Sequence, residues 1–137
     1  MKKNDIIWII DDDPIYIFGA KRKLKQINTS KTVRVLDNGK EALDELKHLV
    51  STERTKLPDL ILLDINMPHM DGWQFLKELE KMPCKVDVTV YLVTSSVDPG
   101  DIEKARASRL VSGYINKPLQ TEDILGIFDE VNFRKRV

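Results

Sequence analysis

The chain has 137 residues, and its 22 Lys plus Arg balance 22 Asp plus Glu. That length suits one domain, 1–137, with its own core, and the balanced charge offers no overall field for nucleic acid or an anionic membrane. One cysteine, Cys84, leaves no intramolecular disulfide framework and fits a reducing, cytoplasmic setting.

After Met1–Asp5 come only five apolar residues, Ile6 to Ile10, too short a run for a signal-peptide core or a membrane span. The run reads as a strand, and it ends in Asp11-Asp12-Asp13. Asp13 can cap a helix whose first turn takes Pro14. Ile17, Ala20, Leu24 and Ile27 give that helix a buried stripe. Lys21, Arg22, Lys23 and Lys25 read first as a solvated face and second as a dock for an acidic partner. Residues 32–36 read as a short strand near a sheet edge. Asp37-Asn38-Gly39 turns the chain into a second helix with Ala42, Leu43, Leu46, Leu49 and Val50 inward. Residues 51–58 read as a polar surface loop.

Leu60-Ile61-Leu62-Leu63 is a wholly apolar strand, as expected for one buried on both faces of a parallel sheet. It delivers Asp64 to the carboxyl edge, where open α/β sheets bind ligands. A third helix starts at Asp71-Gly72, with Phe75, Leu76 and Leu79 on its core side. Residues 86–93 read as the fourth strand, ending at Thr94-Ser95-Ser96. Asp98-Pro99 opens a fourth helix poor in large apolar residues, which should be the least firmly anchored. Residues 111–116 form the fifth strand, ending at Lys117-Pro118. Residues 120–133 form the last helix, with Ile124, Leu125, Ile127, Phe128 and Val131 inward. Strand and helix alternate throughout, which predicts a doubly wound parallel sheet with helices on both faces.

Four strand ends therefore bring acids, an acid, a hydroxyl and a lysine to one edge. Two carboxylates about 4 Å apart repel by roughly 4 kcal/mol at an effective dielectric near 20. A divalent cation turns that repulsion into attraction, and hard oxygen donors without His or Cys suit Mg²⁺ rather than zinc. Lys117 as a point charge and Thr94 as a rotatable donor suit a phosphoryl group. A carboxylate such as Asp64 can be the nucleophile in phosphoryl transfer. No Gly-rich phosphate loop is present, so a nucleotide is not the expected donor.

Asp11-Asp12, Asp64 with Met67-Pro68 and Asp71-Gly72, Thr94-Ser95 and Lys117-Pro118 together resemble the receiver domain of two-component response regulators. The resemblance spans essentially the whole chain and implies a flavodoxin-like sheet of order 2-1-3-4-5. It implies that Asp64 accepts a phosphoryl group from a histidine kinase or a histidine phosphotransfer protein. Asp12 and Asp64 would hold Mg²⁺ directly, Asp11 through water and Asn66 through its backbone carbonyl. Lys117 would contact the phosphoryl group, with a cis bond to Pro118. Thr94 and Tyr114 would form a switch pair, and Asn66 and Ser96 would tune the acyl-phosphate lifetime. A downstream protein would read the switched face, and receivers commonly homodimerise through that face. With no effector domain expected, the chain reads as a stand-alone receiver. The competing readings are a phosphorylation-independent adaptor and a small Mg²⁺ phosphatase. The phosphatase would need an acid at the position held by Asn66.

Overall fold

The structure is a computed structural model that describes residues 6–27, 32–83 and 86–136, with side chains as far as residue 129. Cys84 and the side chain of Val131, expected on the inner face of the last helix, lie outside that description. Five strands and five helices alternate: β1 (Ile6–Ile10), α1 (Pro14–Ile27), β2 (Thr32–Leu36), α2 (Gly39–Thr52), β3 (Leu60–Leu63), α3 (Gly72–Glu80), β4 (Thr89–Thr94), α4 (Pro99–Ala107), β5 (Val111–Asn116) and α5 (Thr121–Arg136). All strand pairs are parallel, in the order β2-β1-β3-β4-β5. The flavodoxin-like expectation is met.

Alternation along each strand divides the core in two. Trp8, Ile10, Ile61, Leu63 and Leu92 face α2 and α3, where they meet Leu46 and Phe75. Ile7, Ile9, Leu60, Leu62 and Val93 face α1 and α5, where they meet Leu24, Ile124 and Ile127. A strand covered on both faces has no polar side to show, so β1, β3 and β4 are apolar almost throughout. β2 pairs with β1 alone and alternates exposed with covered positions, as an edge strand should.

Several boundaries differ from the sequence expectation. Residues 86–88 precede β4 rather than joining it, because β3 offers its first pairing partner, Leu60, only to Thr89. The segment expected as a loop over 51–58 continues α2 to Thr52 and then makes a 3-10 turn at Arg54–Lys56. On α1 the deepest residues are Tyr16, Ala20 and Leu24, while Ile17 and Ile27 pack only partly. On α5, Leu125 is 48% exposed rather than inward, since Ile124, Ile127 and Phe128 already occupy the core-facing stripe. Of the α2 stripe, Val50 is half-buried. Between β4 and β5 the register shifts near Val90 and Tyr91. Gly113 lies there, and a Cβ on it would come within 2.5 Å of the Tyr91 ring.

Candidate phosphoacceptor site

The strand order reverses between β1 and β3, and their carboxyl ends lie side by side. Ile10 pairs with Leu63, so the next residues, Asp11 and Asp64, are neighbours across this switch point. The ladder holds both in place: the Asp11 N–H donates to Leu36 O at 3.0 Å, and the Asp64 N–H donates to Ile10 O at 3.0 Å. Exposed Asp12 completes the cluster, with one oxygen from each of the three carboxylates within 4.8 Å of the others.

Lys117 closes the site from the end of β5, where its N–H donates to Thr94 O at 2.9 Å. Its Nζ lies 3.0 Å from Asp11 Oδ2, 3.5 Å from Asp64 Oδ2 and 3.7 Å from Asp13 Oδ2. Asp11 Oδ1 accepts the Asp13 N–H, and Asp64 Oδ1 accepts the Ile65 N–H. Each carboxylate thus commits one oxygen to the backbone and turns the other toward the ammonium. Burial, first of all, pushes the Asp11 carboxyl up to about 6. The Asp64 charge adds to that rise, while the Asp13 N–H and Lys117 oppose it. Burial alone would lower the Lys117 ammonium, but its hydrogen bond and charge pairing with Asp11, then Asp64 and Asp13, outweigh burial and hold it above its ordinary value. The Lys117–Pro118 bond is cis.

At the end of β4, Thr94 is fully buried, and its Oγ1 accepts the Ser96 N–H at 3.3 Å. Tyr114 on β5 donates its hydroxyl to Ser96 O at 3.0 Å. Asn66 is exposed in the loop after β3.

This geometry has a known frame. Residues 7–129 match the model of the response regulator receiver domain. The chain belongs to that family. The receiver is 31% identical to a two-component response regulator from Cytophaga hutchinsonii whose structure it matches with a TM-score of 0.83, over 95% of this chain and 98% of that one. A response regulator from Legionella pneumophila matches at 30% identity and a TM-score of 0.77, over the same shares. Among curated proteins, the nitrate/nitrite response regulator NarL of Escherichia coli is 30% identical over 87% of this chain. A probable methanogenesis regulatory protein, FilR2, of Methanothrix harundinacea is 27% identical over 92% of this chain. The receiver spans 80% of the length of FilR2 but 50% of NarL. Receiver domains act as phosphoacceptor switches and generally bind Mg²⁺ in an acidic pocket.

The fold brings together Asp11, Asp12, Asp64 and Lys117, as the sequence suggested, and places Thr94 beside them through the Lys117 backbone. Two further residues reach Lys117. Asp13 was expected only as a cap. It does cap α1, accepting the N–H of Ile15 and of Tyr16, and it also faces the ammonium. The ring of Tyr16 lies 4.5 Å from Lys117 Nζ, close enough for a cation–π contact. Its hydroxyl is buried without a hydrogen-bond partner, and burial followed by the Asp11 and Asp64 charges pushes it far up. The spacing Tyr16–Ala20–Leu24 marks Tyr16 as core, but nothing in it points to Lys117.

The loop carrying Asp64 into α3 needs Gly72. Its N–H donates to Ile65 O at 2.8 Å, and a Cβ there would lie 2.5 Å from Asp64 O and 2.9 Å from Ile65 Cα. Both are backbone atoms and cannot rotate away. Asp71 then caps α3 reciprocally with Gln74. Gly72→Ala is expected to destabilise the fold by about 1–3 kcal/mol, read as a lower urea midpoint. An unchanged midpoint would show that the loop yields freely.

Proposed function

We propose that this receiver is a Mg²⁺-dependent switch in which Asp64 takes a phosphoryl group from a histidine kinase or histidine phosphotransfer protein. The observation that carries the reading is the convergence of Asp11, Asp12 and Asp64 with the Lys117 ammonium at the carboxyl edge of β1 and β3. In the transfer, a carboxylate oxygen of Asp64 forms the new O–P bond. The P–N bond of the phosphohistidine breaks, and its electron pair returns to the imidazole, which takes a proton. Asp64 Oδ2 suits the attack, because Oδ1 is held by the Ile65 N–H. Lys117 would neutralise charge growing on the phosphoryl oxygens, and Thr94 would donate its hydroxyl to one of them.

The donor set fits Mg²⁺: three carboxylates of hard oxygen chemistry, two of them buried, and Asp11 Oδ2 meets only Lys117 among the described residues. Asp12 and Asp64 would hold the ion directly, Asp11 through water and Asn66 through its backbone carbonyl. Bound there, Mg²⁺ supplies Lewis-acid stabilisation of the phosphoryl charge. Asn66 and Ser96 would set how long the acyl phosphate survives, and Thr94 with Tyr114 would pass its presence to a downstream protein or a second copy. Among the described residues no helix is long and apolar enough to cross a membrane. On α1, Phe18 is 67% exposed next to Lys21, Arg22 and Lys25, a surface suited to docking an acidic donor.

Intact mass after incubation with acetyl phosphate tests the reading. One added phosphoryl group is expected on the wild-type chain with Mg²⁺, and none after chelation or in Asp64→Asn. An adduct on Asp64→Asn would overturn the assignment of the acceptor.

A further inference from the structure

Helix α4 is thinly attached. Of its nine residues, only Ala105 is buried, so apolar packing does little to fix its direction. Its first turn is held instead by Asp101. Asp101 Oδ2 accepts the Ser96 hydroxyl at 2.6 Å, and Asp101 Oδ1 accepts the Trp73 indole N–H at 3.1 Å. The two donors come from different places, the β4–α4 turn and the first turn of α3. An acid in the first turn of a helix is favoured by the backbone dipole alone. That preference does not account for two side-chain donors converging on the two oxygens of one carboxylate.

Ser96 is itself a junction. Its N–H donates to Thr94 Oγ1 at 3.3 Å, and its carbonyl accepts the Tyr114 hydroxyl and the Asn116 amide, each at 3.0 Å. Ser96 therefore touches the strand end that carries Thr94, the switch tyrosine on β5 and, through Asp101, both α4 and α3. Lys104, one turn along α4, sits 5.3 Å from the Trp73 ring. Trp73 thus meets α4 at two points.

We propose that Asp101 is a positioning residue joining the β4–α4 turn to α4, so that a shift of Thr94 and Ser96 toward a phosphoryl group on Asp64 is carried to α4 and to Trp73. This rests on the phosphoacceptor reading of Asp64. The charge-assisted hydrogen bond from Ser96 is short and directional, and it transmits displacement where a loose apolar contact would slip. Trp73 carries a built-in reporter, since its indole meets both a carboxylate and an ammonium of α4.

The test is Trp73 emission on adding beryllofluoride with Mg²⁺, with Trp73→Phe recording the background of buried Trp8. The wild-type chain should change its emission. Asp101→Ala and Ser96→Ala, which cut the same bond from opposite ends, should each lose most of that change. Intact mass after acetyl phosphate should still show the adduct in Asp101→Ala. A full emission response in both variants would overturn the proposal, as would a wild-type chain that takes the phosphoryl group without moving Trp73. If Asp101→Ala disturbs folding, Asp101→Asn, which keeps the side chain's shape and removes its charge, decides by the same two readouts. A wild-type chain that takes no phosphoryl group would sink the phosphoacceptor reading itself, and this inference with it.

Discussion

Lys117→Met is expected to slow aspartyl phosphate formation from acetyl phosphate by about 10²–10³-fold, the usual loss when one preorganised stabiliser of developing charge is removed. Methionine keeps an apolar stem as far as Cε but loses the ammonium that lies 3.5 Å from Asp64 Oδ2. The tyrosine ring beneath it would remain, so packing around Tyr16 changes little. Removing the cation also takes away a hydrogen bond and a charge that hold the Asp11 carboxyl down, so that carboxyl should rise above about 6. The rate of mass gain under Mg²⁺, wild type against variant, measures the first effect. A loss smaller than tenfold would mean that Lys117 serves mainly to balance the acids rather than to assist transfer.

In Mg²⁺-free buffer, stability is expected to fall as pH rises from about 4 to about 7. The folded Asp11 carboxyl sits at about 6, against 3.8 for the free group. Between those values the folded chain holds a proton that the unfolded chain has lost. Stability therefore declines with pH across that window, and Asp11 withdraws about 3 kcal/mol in all once the pH passes the folded value. Asp11 is fully buried, so solvent screening gives little relief. Mg²⁺ at neutral pH should recover much of the loss, because a cation favours the ionised form that burial penalises. Urea midpoints at pH 5 and pH 7.5, with chelator and with Mg²⁺, give the slope. Asp11→Asn should flatten it. A slope equally steep in Asp11→Asn would assign the titration to another group.

Each of these experiments touches residues that the chain announces in different degrees. Asp64 and Asp11 were legible because each ends a wholly apolar run, and such a run has one sensible place, inside a parallel sheet. Thr94 and Lys117 were legible because they close the fourth and fifth strands of the same alternating order, although β5 is a mixed run with Ser112, Gly113 and Asn116 in it. Tyr16 was not, because a tyrosine in a helix stripe reads as ordinary core until the ammonium above its ring is seen. The tie between Trp73 and Asp101 joins residues 28 apart in sequence, and no spacing rule connects them. Leu125 was misplaced because apolar character alone does not say which side of a helix the core will occupy.

The sequence by itself determined the alternation of strand and helix, the burial of the central strands and the residues that reach the carboxyl edge. These follow from local patterns: apolar runs, caps, and turn residues. Only the tertiary structure decided which oxygen of Asp64 faces Lys117, that burial lifts Asp11, that Asp13 doubles as a partner of Lys117, and that Asp101 clasps two elements at once. Those features depend on distances between segments far apart in the chain, and on the exclusion of water, which exist only once the sheet has formed and its helices have packed.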